Sequence, residues 1–415
     1  MKKKIIVVGG GFAGLQIVKN LDEKLFDILL IDKINHHQFQ PLFYQVATSQ
    51  LEPASISFPL RHIFKRKKNL QIRLTEVEHI DTSAKKIQTG IGEFDFDILV
   101  LAMGCKTNFF GNTEIKQHAL TLKTTYDAIS IRNHILQTFE HIISANDVDK
   151  EALMNLMIVG AGPTGVELAG AFAEIKRHIL PKDYPGIDFS SFKIILVEGS
   201  KNTLNNMSDE AKAASQKYLI DMGVDLKMET FVKNYDGTIL SFNDGKSINT
   251  KTVIWAAGVT PNLIEGLPET SYVQGKRLKV NRMNLVEGLE SVYAIGDIAS
   301  METPLYPKGH PQLANVAINQ AKNLARNLKR TVIDKELKEF EYRDLGSMAT
   351  VGRNKAVVDL PFIKFKGYIA WLVWMFLHLM LILSVRNKLI IFINWAWAYA
   401  TKDTSLRLIM TEDEE

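Results

Sequence analysis

The sequence predicts an α/β protein built from two strand–turn–helix units, the second set inside the first, with a pair of apolar helices at the C-terminal end. Three observations predict it. Glycine-rich turns follow short β-branched runs at Gly9 and again at Gly160. A further strand ending in Gly296-Asp297 comes after the second of these. The stretch from Tyr368 to Ala400 is oily almost throughout.

The chain has 415 residues, room for two or three domains on the usual prior of about 100–200 residues each. Its net charge of +4 is too mild to point to nucleic acid. Cys105 is the single cysteine, so an intrachain disulfide is excluded and a reducing compartment fits. The opening "MKKKIIVVGGGFAGL" has the basic start and apolar run of a signal peptide. It lacks a small-residue cleavage site, and glycines interrupt the run, so a buried first strand is expected.

Lys3 to Val8 is that strand. Gly9 makes the tight turn, Gly11 lets a pyrophosphate approach the backbone, and Gly14 lets helix and strand pack closely. The helix that follows presents its positive end to the phosphates. "FDILLID" is the next strand and ends in Asp32, 18 residues after Gly14, where a carboxylate accepts both hydroxyls of an adenosine ribose. Lys33 follows it and is grouped with the cofactor-binding residues. The pattern recurs in "NLMIVGAGPTGVELAG", with Gly160, Gly162 and Gly165, and in "FKIILVEGS", ending in Glu198. Here the gap is 33 residues, widened by "KRHILPKDYPGIDFSS". Glu198 suits a free 2′-hydroxyl and repels a 2′-phosphate, which favours NADH over NADPH.

"FDILVLAMGCKTN" and "TVIWAAGVTPN" form a second pair of echoes, each a strand, a glycine turn and an asparagine. Ala102, Gly104 and Gly258 lie in these turns, Gly104 95 residues after Gly9 and Gly258 98 after Gly160. Two Rossmann-like dinucleotide-binding domains therefore stand in tandem. In "LESVYAIGDIAS" a strand delivers Gly296 and Asp297, and a helix begins shortly afterwards. A carboxylate there suits the sugar-alcohol chain of a flavin. The helix would aim its positive end at the flavin's pyrimidine side. Such a plan resembles that of the two-dinucleotide-binding-domain flavoproteins, with one domain for FAD and an inserted one for a nicotinamide nucleotide.

With one cysteine, no dithiol relay is available beside a flavin, and Cys105 is expected to be a small packing residue. Electrons must pass from NADH to the flavin and then directly to an acceptor. Hydride transfer needs stacking and alignment more than a protein acid or base. Glu167 is placed to touch the nicotinamide end; a carboxylate favoured in the first turn of a helix is the plainer alternative. The neighbouring His36 and His37 lack a third ligand at useful spacing, so no metal is expected.

Four segments resemble the type II NADH:quinone oxidoreductases, the single-subunit, non-proton-pumping NADH dehydrogenases of respiratory chains. They are "HHQFQPLFYQVAT" (His36–Thr48), "GAGPTGVELAG" (Gly160–Gly170), "YAIGDIA" (Tyr293–Ala299) and "GSMATVGRNKAVVD" (Gly346–Asp359), in the family's order. The resemblance implies non-covalent FAD, NADH as donor, a membrane quinone such as ubiquinone or menaquinone as acceptor, and a homodimer. The family's quinone-site helix reads Ala-Gln-x-Ala-x-Gln-Gln. Here Asn315 and Asn319 replace two of its glutamines, and Gln320 is kept. Lys355 matches the family's lysine and would offset charge on reduced flavin or feed protons toward the quinone.

From Ile369 to Val385 the chain is apolar apart from His378 and Ser384. Seventeen helical residues reach about 26 Å, short of a hydrocarbon core of roughly 30 Å. Arg386-Asn387-Lys388 interrupts, and twelve mostly apolar residues follow. Trp371, Trp374, Trp395 and Trp397 suit the headgroup level. Two helices lying in one leaflet fit best, with a spanning helix or a dimer-buried pair as alternatives. The resemblance implies a monotopic anchor on the cytoplasmic face of the inner membrane. "TEDEE" at 411–415 reads as a frayed acidic tail. The expected organisation is FAD domain at 1–112 and 265–345, NADH domain at 113–264, and membrane-anchoring region at 346–415. Two rival functions share the nucleotide motifs: a flavin reductase for a soluble redox carrier, and an NADH-sensing flavoprotein that does not turn over.

Overall fold

The computed structural model describes residues 2–404 and 406–410, so the acidic tail lies outside the described residues. The chain divides into two compact units. The first is made of Met1–Gln38, Phe58–Lys106 and Val259–Asp344; the second of Phe39–Ser57, Thr107–Gly258 and the chain from Leu345 onward.

The first unit holds a five-stranded sheet in the order Val292–Ala294, Ile98–Leu101, Lys3–Val8, Phe26–Asp32, Leu70–Leu74. All its pairings are parallel. Val7, Leu30 and Leu99 are fully buried because both faces are covered, which is why these strands read as continuous apolar runs without alternation. Helix Phe12–Asn20 sets Leu15, Ile17 and Val18 against Leu324 and Leu328 of helix Ala314–Val332 on one face. The apparent signal peptide is a central strand. Strand Val292–Ala294 pairs with Ile98–Leu101, so the chain returns to the first sheet after completing the second.

The second unit repeats the plan: Leu120–Thr121, Thr252–Trp255, Asn155–Val159, Lys193–Val197, Val224–Lys227, again all parallel. Helix Pro163–His178 runs through half of the widened gap. The rest folds as a short helix, Leu180–Asp183, and a 3-10 turn, Phe189–Ser191. Phe139, Phe189 and Phe192 meet there edge-on, with ring centroids 5.5 to 6.4 Å apart, so the inserted residues form a small aromatic core of their own.

The same unit carries a three-stranded antiparallel sheet, Ser347–Thr350, Ala356–Asp359 and Lys364–Lys366, followed by helices Tyr368–Leu381 and Val385–Thr401. Asp359 accepts from the Ser208 backbone N–H at 2.6 Å and from its hydroxyl at 2.8 Å, holding the N-cap of helix Asp209–Asp221. The helix break falls at Ile382–Ser384, earlier than the charged triplet. Arg386 to Lys388 therefore lie in the first turn of the second helix. Asn387 is buried and donates to the carbonyls of Ala54 and Ser55 at 3.0 and 2.9 Å. Among the described residues no helix is long and apolar enough to cross a membrane.

Gly170 sits where helix Pro163–His178 meets this small sheet. A methyl group there would lie 2.5 Å from the backbone nitrogen of Gly352 and 3.0 Å from the carbonyl carbon of Val351. Gly170→Ala should therefore destabilise the fold by about 1–3 kcal/mol, despite alanine's better helix propensity. A lower urea midpoint at unchanged slope would register it.

Candidate active site

The two glycine turns are built alike. Gly9 has φ +102° and Gly160 φ +103°; each backs onto the next strand's turn, at Ala102 and Ala256. A Cβ on Gly14 would stand 1.7 Å from the Gly9 carbonyl oxygen, and one on Gly165 1.8 Å from that of Gly160. These two are packing glycines. At Gly11 and Gly162 a Cβ would meet nothing within 4 Å. Both are N-cap positions whose residue brings no side chain to cap the first helix N–H groups. Two uncapped helix ends bordered by room for a ligand fit the pyrophosphates of two dinucleotides.

Each acidic residue holds its own turn. Asp32 accepts from the Gly10 N–H and, at 2.9 Å, from the Ile34 N–H; burial pushes its carboxyl up. Glu198 accepts from the Ala161 N–H at 2.7 Å and the Ser200 N–H at 2.8 Å. A carboxylate has about four acceptor sites, so both retain capacity for ribose hydroxyls. Lys33 is exposed and pairs with Glu76. In the first unit the Asn262 N–H reaches the Gly104 carbonyl at 3.2 Å, and in the second the Asn108 N–H reaches that of Gly258 at 3.3 Å. The paired asparagines noted in the sequence thus brace the two glycine turns.

Gly296 and Asp297 follow strand Val292–Ala294 as expected, but helix Ala314–Val332 begins only at residue 314. Gln320, fully buried, turns its amide oxygen to the Gly296 N–H at 2.8 Å, and its amide nitrogen has no partner among the described residues. The Cys105 thiol donates to an Asp297 carboxylate oxygen at 3.1 Å. The lone cysteine therefore orients the carboxylate that the sequence marks for the flavin, a contact that composition could not reveal.

In the second unit a cavity is lined by Tyr44, Glu167, Thr350, Trp371, Trp374 and Trp395, among others. A buried polar chain runs along it. The Trp395 indole donates to Gln45 at 2.7 Å, the Gln45 amide donates to the Tyr44 hydroxyl at 2.9 Å, and Tyr44 meets the Thr350 hydroxyl at 3.1 Å. Glu167 is buried beside it, with the Thr350 N–H 3.5 Å away. Loss of hydration pushes the Glu167 carboxyl up to about 8, and burial with Glu167 as neighbour pushes the Tyr44 hydroxyl up as well. At neutral pH both hold their protons. The Trp374 indole N–H is buried and has no acceptor among the described residues. Arg353 lines the cavity and lies over the Tyr399 ring, 4.1 Å from its centroid. Lys355 does not line it; its ammonium lies 5.5 Å from the Tyr218 ring centroid. Of the residues sequence reasoning had assigned to catalysis, this cavity contains Glu167. It missed Tyr44, Gln45, Thr350 and Trp374 as polar lining.

The family described as pyridine nucleotide-disulphide oxidoreductase matches residues 3–321, and that described as NDH2 C-terminal domain matches residues 345–400. The type II NADH:quinone oxidoreductase Ndh of Mycobacterium tuberculosis is 32% identical to this chain, over 95% of it and 87% of that protein. The Staphylococcus aureus type II NADH:quinone oxidoreductase is 30% identical over 86% and 89% respectively. The structure of NDH2 from Plasmodium falciparum in complex with NADH shares the fold with a TM-score of 0.90 at 22% identity, covering 99% of this chain and 100% of that one. The sulfide:quinone oxidoreductase of Aquifex aeolicus is similar at a TM-score of 0.73 and 18% identity.

The raised Glu167 carboxyl has a consequence for stability. Between its ordinary value of 4.5 and about 8, the folded chain binds a proton that the unfolded chain has released. Stability contributed here is full below 4.5, falls as pH rises toward 8, and is flat beyond. Relative to Glu167→Gln, the wild-type chain should lose on the order of 5 kcal/mol across that window. Denaturant titrations of both proteins at a series of pH values measure it.

Proposed function

Since this chain belongs to the type II NADH:quinone oxidoreductases, we propose that it is a respiratory enzyme passing two electrons from NADH through non-covalent FAD to a membrane quinone, without pumping protons. The observation that carries this reading is the apolar, aromatic cavity that buries Glu167 and is walled partly by the two C-terminal helices. FAD, when bound, accepts hydride from NADH and supplies the electron pair to the quinone. The turn at Gly9, Gly11 and Gly14 with Asp32 would hold its adenosine and pyrophosphate, and Asp297, oriented by Cys105, its sugar-alcohol chain. Gln320 holds the Gly296 turn in place. The turn at Gly160, Gly162 and Gly165 with Glu198 would hold NADH. Residues 1–112 and 265–345 would then serve FAD, 113–264 NADH, and 346–415 the membrane.

In the cavity, Glu167 would keep a proton within reach of a reduced quinone oxygen, and the Trp374 N–H would donate to a quinone carbonyl. Lys355 stands in the same hairpin as Thr350 and Arg353, and its positive charge would favour electron-rich states nearby.

The outer faces of the two helices support membrane docking. The buried positions are spaced four apart, Ala370 and Trp374 in one helix, Asn387, Ile391 and Trp395 in the other. Phe376, Leu389, Phe392, Ile393 and Trp397 are all more than half exposed. Patches of that size mark a partner or a bilayer. A quinone with an isoprenoid tail stays in the bilayer, so its reductase must bring the cavity there. On this reading the chain is a monotopic homodimer on the cytoplasmic face of the inner membrane.

Purified protein with FAD should oxidise NADH, not NADPH, with a short-chain quinone as acceptor. Glu167→Gln should lower that rate by about 10²-fold while anaerobic reduction of the flavin by NADH proceeds as before. Leu389→Glu with Ile393→Glu should release the protein from anionic liposomes and leave short-chain quinone reduction intact. Flavin that NADH reduces but no quinone reoxidises would overturn the reading.

A further inference from the structure

Arg132 belongs to no part of the machinery described so far. It lies in helix Thr125–Ser144 and is 3% exposed, yet its Nε and one terminal nitrogen are buried without an acceptor among the described residues. It lines a small cavity together with Thr48, Ser49, Ile179, Asp183 and Arg407. An ionised guanidinium removed from water without a partner is costly, and burial lowers its affinity for the proton.

Several other polar groups in the lining have partners of their own. Arg407 pairs with Asp183 at 2.6 Å and with Asp403 at 2.7 Å. Tyr184 donates its hydroxyl to Glu140 at 2.6 Å, and Thr48 donates to the Tyr44 carbonyl at 2.8 Å. Arg407 is matched by Asp183 in the lining and by Asp403 beside it, so Arg132 is the charged lining group without a counter-ion among the described residues. The space has room for about one water-sized sphere.

From the buried guanidinium, its lack of a counter-ion among the described residues and the size of the space, we infer that this cavity is a binding site for one small monovalent anion of halide size, held by Arg132. A water molecule would satisfy donors but would leave the charge uncompensated. Polyatomic anions such as phosphate exceed the space. Thr48, Ile175 and Ile179 line both this cavity and the larger one that holds Glu167, so an anion here would brace a shared wall. The inference rests on Arg132 and its surroundings and stands apart from the acceptor assigned above.

The test uses the full-length, FAD-loaded protein. Thermal unfolding is followed at constant ionic strength while gluconate is exchanged for chloride or bromide. The unfolding temperature should rise saturably with halide, by roughly 1–2 °C for each tenfold excess above the dissociation constant. Arg132→Lys should weaken the effect, and Arg132→Met, an apolar chain of similar length, should abolish it. Crystals soaked in bromide should show an anomalous peak within hydrogen-bond distance of the guanidinium. Equal stability in halide and gluconate would overturn the inference, as would a halide effect that survives in Arg132→Met. A bromide peak elsewhere only, or displacement of bromide by an equal concentration of formate, would also count against a halide-sized site. Should Arg132→Met fail to fold, the bromide peak in the wild-type protein decides.

Discussion

The polar chain from Trp395 through Gln45 and Tyr44 to Thr350 is the contact on which the second unit's arrangement depends. Each member is buried, and an unmet donor or acceptor at that depth would cost about 1–3 kcal/mol. The chain can close only if the last helix turns Trp395 inward and the segment Phe43–Ala47 lies helical beside it. Asn387, two turns earlier on the same face, fixes that helix again through the carbonyls of Ala54 and Ser55. With the inner stripe so committed, the remaining apolar residues of both C-terminal helices have only the outside to face. One buried network thus fixes a cavity wall and leaves an oily outer surface.

The two nucleotide turns show a different economy of means. In each, a packing glycine, an open glycine and a carboxylate at the next strand end recur with nearly the same geometry. The carboxylates have a double use, since they pin the turn through backbone N–H groups and keep acceptor capacity toward a ribose. Asp297 is met by a side chain instead. Its orientation comes from the Cys105 thiol, and the turn before it is held by the buried amide of Gln320.

Much of this was legible in the sequence because backbone approach admits only glycine, and only at fixed spacing. The glycines from Gly9 to Gly14 and from Gly160 to Gly165 therefore announce their strand, turn and helix, and the inserted order of the two units follows from strand Val292–Ala294. Long-range side-chain partners leave no such trace. Tyr44 and Thr350 are 306 positions apart, and Gln45 and Trp395 are 350 apart. Four tryptophans near the end looked like interfacial residues; Trp374 and Trp395 instead fill the interior, and Trp397 stays exposed. The charged triplet after Val385 looked like a break between helices, whereas Ser384 ends the bend and Asn387 faces inward. The stretch between Gly165 and Glu198 read as an unexplained insertion because its aromatic partner, Phe139, lies in another helix.

Quinone reduction in the cavity lined by Glu167, Tyr44 and Trp374 is open to direct test. The most direct measurement is a structure of the FAD-loaded protein with a short-chain quinone bound. The account predicts the headgroup inside that cavity, with one oxygen near the Glu167 carboxyl and the tail leaving past the C-terminal helices. A headgroup bound only elsewhere on the chain, with this cavity holding no quinone at saturating concentration, would contradict it.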